Sequence, residues 1–145
     1  MYKMIAVGTD GSETADRAVE AAADLARSWG SELHVITSFK ASSPGLAQVT
    51  GAALVDTGVS HAVVEEAARQ VGARAIDTWG SGLFAQAHAV HGDAVDAILD
   101  TAALLNADLI VVGSKGMRGA RRYLGSVPNS VAHGAHCAVL VVKTA

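Results

Sequence analysis

Two apolar runs constrain this chain more than anything else in it: Asp108-Leu-Ile-Val-Val112 and Cys137-Ala-Val-Leu-Val-Val142. Each has the length of one strand, and neither alternates apolar with polar residues. Successive side chains of a strand point to opposite faces, so a strand with one wet face alternates and a strand covered on both faces does not. Unalternating strands separated by helical patterns indicate a parallel sheet with helices on both sides.

The rest of the chain fits that frame. Three further strand-like runs are Lys3 to Gly8, Glu32 to Phe39 and Leu83 to Val90. After Gly11-Ser12, the residues Ala15, Val19, Ala22, Ala26 and Trp29 recur at three and four, one face of a helix that Gly30 closes. A second helix is expected from about Ser60 to Ile76, with Val63, Val64, Ala67, Val71 and Ala75 inward. Asp93 stands where it can cap a third, carrying Val95, Ile98, Ala102 and Leu105. Ser126 to His133 reads as a short last helix, with Ser126 at its cap, Pro128 in its first turn and Gly134 at its end. From Lys40 to about Thr57 no period is visible, and a long loop is expected. The fold class predicted is α/β: a five-stranded parallel sheet with helices on both faces, in the order β-α-β-α-β-α-β-α-β, as a single domain over residues 1–145.

Composition excludes several functions. With 17% charged and 50% hydrophobic residues, the chain has the make-up of a globular domain. Its net charge of −3 gives no global attraction to nucleic acid or anionic lipid. The longest apolar run, Cys137 to Val142, is far short of the ~20 residues that cross a bilayer. One cysteine allows neither an internal disulfide nor a cysteine-rich zinc site, and no secretory pattern opens the chain, so a cytoplasmic protein is expected.

Chemistry concentrates at two turns that follow strands. In open α/β sheets, ligands bind beyond the carboxyl ends of the strands, near the point where strand order reverses. The first turn is Val7-Gly8-Thr9-Asp10-Gly11-Ser12. Asp10 can accept hydrogen bonds from ribose hydroxyls or an adenine amino edge; equally, Asp10 and Glu13 have the spacing of a helix cap. The second turn is residues 113–126, GSKGMRGARRYLGS, with three arginines, 118, 121 and 122, inside five positions. Gly113 directly after a buried strand leaves backbone amides able to face an anion, and Gly125-Ser126 adds free amides and a hydroxyl at a helix start, with Val127 donating where Pro128 cannot. Neither the P-loop pattern nor G-x-G-x-x-G after the first strand is present. Asp10 lacks the neighbouring carboxylates of a phospho-acceptor receiver. His133 with His136 lacks a third metal ligand, His88 and His91 read as rim residues, Cys137 as a buried strand residue, and Met117 and Tyr123 as packing residues.

Gly113-x-x-Gly116, a spacer and Gly125-Ser126 resemble the G-x2-G-x9-G-[ST] signature of ATP-binding universal stress proteins. The likeness continues through Val127-Pro128-Asn129-Ser130-Val131-Ala132, the opening Val7 to Ser12, the run Ala107 to Gly113 and the closing Ala138 to Val142. The spacer here, Met117 to Leu124, is one residue shorter than in the signature. The resemblance implies a Rossmann-like nucleotide-binding fold and a cytoplasmic stress or signalling module. It implies ATP, with Mg²⁺, as ligand, cAMP being the alternative. Gly8, Thr9 and Asp10 would hold the adenosine part, Val35 and Val112 would line the base pocket, and Gly113, Gly116, Gly125, Ser126 and Val127 would hold the ribose and phosphates. No metal ligand and no catalytic residue is assigned: residues 113–126 contain neither Asp nor Glu to position a water, so at most slow ATP hydrolysis is expected. The family likeness also implies a homodimer through the final strand, 138–142; a non-nucleotide dimeric scaffold is the remaining alternative.

Overall fold

The structure, a computed structural model, describes residues 1–40, 58–114 and 126–144. Within them the order is β1 (Met4–Gly8), α1 (Glu13–Trp29), β2 (Glu32–Phe39), α2 (Gly58–Trp79), β3 (Ala85–His91), α3 (Ala94–Leu104), β4 (Leu109–Gly113), α4 (Ser126–Gly134) and β5 (Ala138–Val142). The strands form one sheet in the order β3-β2-β1-β4-β5. Every pairing is parallel. The expected α/β class is what the chain adopts.

The two layers explain why the central strands do not alternate. Ile5, Val7, Leu33, Val35, Leu109 and Val111 face α1 and the second half of α2, where Ala18, Val19, Ala22, Ala26 and Ala75 meet them. Their chain neighbours Ala6, Ile36, Ile110 and Val112 face α3 and α4, against Ala97, Ile98, Ala102 and Val131. Both faces are apolar because both are covered. At the β2–β3 side, Phe39 and Ala89 pack on Val64, Ala67, Ala68 and Val71 of α2.

Local chemistry sets the helix ends. Ser12 caps α1, its hydroxyl accepting from the Ala15 amide at 3.2 Å. Gly30 ends the helix in the left-handed region, at φ 67°, where a side chain would be strained.

The structure departs from the sequence expectations in several places. Strand β3 begins at Ala85 because Leu83 belongs to the turn, donating to the Gly80 carbonyl at 3.0 Å while its side chain packs under the sheet. Helix α2 runs on to Trp79, which continues the apolar stripe three residues past Ile76. Asp93 occupies the cap position of α3 but makes no side-chain cap bond; its carboxylate pairs with Lys40 instead. The loop expected over 40–57 lies, after Lys40, outside the described residues. No described helix is long and apolar enough to cross a membrane.

Candidate functional site

Strand order reverses between β1 and β4, and a cleft of about 240 Å³ opens there at the carboxyl ends of the strands. Its floor is Gly8, Thr9 and Asp10 leaving β1. One wall is Ile36 and Ser38 of β2 with Ala94 and Ile98 of α3. The opposite wall is Val112 and Gly113 of β4 with Val127 and Pro128 of α4, while Ala15 of α1 closes the remaining side. The first turns of α1, α3 and α4 therefore all border the cleft. Each brings the positive end of a helix dipole, a setting that favours an anion, with the Ala15 amide of α1 already taken by Ser12 Oγ.

The β1 turn is held by its own side chains. The Thr9 amide donates to the Ile36 carbonyl at 3.0 Å, continuing the ladder one residue past the strand. The Thr9 hydroxyl accepts from the Gly11 amide at 3.1 Å, and Asp10 Oδ1 accepts from the Ser12 amide at 2.9 Å. Asp10 is thus a turn-former upstream of the cap, and the helix cap itself is Ser12. Asp16, one turn into α1, has its carboxyl pushed above the usual carboxylate range, first by burial and then by the charges of Asp10 and Glu13. Gly8 lies at a close approach: a Cβ there would lie 2.6 Å from Ile98 Cδ1, so the end of the Ile98 side chain would have to shift.

Of the residues singled out from sequence, Gly8, Thr9, Asp10, Val112, Gly113 and Val127 surround this one cleft. Ser126 is exposed at the start of α4, one residue from the wall. Gly116 and Gly125 lie outside the described residues, as do Arg118, Arg121, Arg122, Met117 and Tyr123. Val35 needs correction. Its side chain is buried in the layer beneath α1, because residues of one strand alternate between faces, and the cleft takes Ile36 and Ser38 from β2.

The family model of the universal stress protein family matches residues 1–143. The chain belongs to that family. A universal stress protein of Methanocaldococcus jannaschii is 31% identical over 150 residues, covering 99% of this chain and 83% of that protein. A solved universal stress protein in complex with cAMP is 32% identical, with a TM-score of 0.69 over 99% of this chain and 98% of that one. The universal stress protein UspA of Lactobacillus plantarum gives a TM-score of 0.70 at 26% identity, covering 98% of each chain.

Several features of this universal stress protein carry no plain sequence signal. Ile36, Ser38, Ala94, Ile98 and Pro128 reach the cleft through their place in the layers. His88 is more than a rim residue: its Nε2 meets Nδ1 of the buried His34 at 2.9 Å, and the rings stack with centroids 5.1 Å apart. His91 and His61 both pack edge-on against Phe39. Cys137 is half-buried, and burial with the Asp108 charge pushes its thiol up. Among the described residues no three histidine, cysteine or carboxylate side chains gather to hold a metal ion.

Proposed function

We propose that this universal stress protein binds an adenine nucleotide in the β1–β4 cleft and acts as a stress or signalling module through its bound state. ATP with Mg²⁺ is the ligand favoured, and cAMP the alternative. The observation that carries the reading is the convergence of three helix amino ends on an apolar slot at the strand-order reversal. Apolar walls suit the faces of a purine, and the helix starts suit its phosphates. Gly8, Thr9 and Asp10 would hold the adenosine part, with Val112 lining the pocket from its β4 side. Gly113, Gly116, Gly125, Ser126 and Val127 would hold ribose and phosphates. The 32%-identical relative solved in complex with cAMP supports a nucleotide here and is the reason cAMP stands as the alternative.

The protein is proposed to pair with a second copy through β5. That strand ends the sheet, carries the exposed Leu140, and as a free edge presents unpaired amides that an antiparallel mate would satisfy. Turnover is not part of the proposal, since residues 113–126 contain no carboxylate to position a water.

Native mass spectrometry of protein purified without added nucleotide tests the reading. A bound mass of ATP, ADP or cAMP supports it and selects among the ligands. Protein that carries none, and whose melting temperature does not move with millimolar Mg-ATP or cAMP, refutes it and leaves the dimeric scaffold.

A further inference from the structure

The sheet order lays the cleft out along a line. The β4 and α4 wall, with Gly113 and the α4 amino end, stands on one side; β1 with Asp10 lies in the middle; β2 forms the far end. A ligand whose anionic end rests at the β4–α4 side and whose sugar lies over Asp10 therefore directs its base toward β2. The β2 wall consists of Ile36 and Ser38, two residues apart on one face of the strand. Across from them, Ala94 and Ile98 of α3 complete an apolar slot.

The polar side chains of the cleft are few. The Thr9 hydroxyl accepts from Gly11 and the Asp10 carboxylate from Ser12, and both sit at the centre of the cleft. Ser38 is half-buried at the far end, and its hydroxyl takes part in no hydrogen bond among the described residues. Its backbone is already placed by the ladder to Val90 of β3, so the hydroxyl arrives on a rigid strand. A hydroxyl both donates and accepts, and can match either a ring nitrogen or an exocyclic amine.

We propose that Ser38 is a specificity-determining residue: its hydroxyl reads the polar edge of a heteroaromatic base whose faces lie between Ile36 and Ile98. The proposal rests on the nucleotide reading of the cleft and assigns the base-reading contact within it to one side chain. An apolar slot alone tells bases apart weakly, whereas a group that must be paired penalises any base lacking the partner atom. For a half-buried neutral hydrogen bond the penalty is about three- to tenfold in affinity.

The test titrates wild type, Ser38→Ala and Ser38→Thr with adenosine, purine riboside, 1-deazaadenosine and 7-deazaadenosine. These analogues remove, in turn, the 6-amino group, N1 and N7. Wild type should bind one analogue about three- to tenfold more weakly than adenosine. Ser38→Ala should bind adenosine and that analogue equally, and Ser38→Thr, which keeps a hydroxyl, should restore the difference. Matching melting curves of the three unliganded proteins exclude a folding effect. If Ser38→Ala keeps the full wild-type discrimination, or if wild type discriminates against none of the analogues, the assignment to Ser38 is overturned while the nucleotide reading stands. Wild type that binds no adenosine at all overturns both.

Discussion

His34 Nδ1 and His88 Nε2 face each other at 2.9 Å across β2 and β3, and the far nitrogen of His34 lies 3.3 Å from Glu32 Oε2. The 2.9 Å gap has room for one proton. With His88 donating to His34 and His34 donating to Glu32, both rings are neutral and every facing atom is matched. Two charged rings would set two N–H groups against each other. Burial, with the like charge of His34 adding to it, pushes the His88 ring below its usual pKa. Arg69 of α2 borders the same groove, whose α3 side is the uncharged Thr101 and Leu104.

Stability should therefore fall with acid in a defined window. A ring held neutral in the fold binds its proton more readily in the unfolded chain, so its contribution is intact above the ordinary histidine pKa of about 6.5. It declines as pH drops below that value and levels off once the folded ring titrates too. Urea midpoints measured from pH 8 to 5 should show this decline. In His88→Gln, which does not titrate, the curve should be flatter. An equal slope in both proteins would assign the acid sensitivity elsewhere.

Gly8→Ala should separate binding from folding. The new methyl would meet Ile98 Cδ1, the mobile end of its side chain, so Ile98 turns away at a cost of about 1 kcal/mol, and the nearest open space is the cleft. Ligand affinity should drop by more than stability does. Adding Ile98→Val removes the clashing carbon and should recover binding, though the shortened side chain itself costs ~0.5 to 1.5 kcal/mol of stability. Chemical denaturation and isothermal titration on the two variants check both halves.

Asp10→Ala and Ser12→Ala should behave as opposites. Ser12 caps α1, so losing its hydroxyl should cost about 1 kcal/mol of stability with little effect on affinity. Asp10 is exposed, and as a ribose acceptor its loss should weaken adenosine, ATP and cAMP alike by ~1 to 3 kcal/mol, beyond any stability lost with its bond from the Ser12 amide. Equal affinities for wild type and Asp10→Ala would confine Asp10 to shaping its turn.

Leu140→Lys should dissociate the proposed dimer. Leu140 is exposed, whereas its neighbour Val141 packs against the layer of α3 and α4, so a charge at 140 probes the edge without unpacking the core. Sedimentation velocity should show a monomer with an unaltered melting curve at low concentration. A mutant that sediments as wild type would place any pairing surface away from β5.

The layers were legible in the sequence because pattern and physics coincide there. The run ending in Val112 lacks alternation because two helix layers cover β4, and the spacing from Ala15 to Ala26 is the buried stripe of α1. The equally apolar run ending in Val142 is covered on one face only, with Ala138 and Leu140 exposed on the other. The turn residues Gly8, Thr9 and Asp10 were legible for the same reason, since a turn after a buried strand has few ways out of the sheet. Val35 shows where pattern stops. Two adjacent valine and isoleucine residues on a doubly covered strand give no sign of which one faces the cleft, and that choice is made by which face α3 covers. Ser38 and Ala94 are silent for a related reason: a lone serine and a lone alanine reach the cleft wall only through contacts distant in the sequence. His34 and His88 become a pair through the β2–β3 register, in which His88 lies opposite Ile36 and reaches diagonally to His34.

The walls of the cleft come from segments spread between Gly8 and Pro128, and no two consecutive elements enclose it. Its assembly requires contacts of long sequence separation, whose loop-closure entropy must be met before they stabilise the fold. An intermediate that had closed β1, α1 and β2 but not docked β4 and α4 would have half a slot and bare helix ends. Affinity for the proposed nucleotide would then be a report on completion: molecules that bind it would have finished folding, and its presence during refolding would hold the finished state without guiding the steps that lead to it.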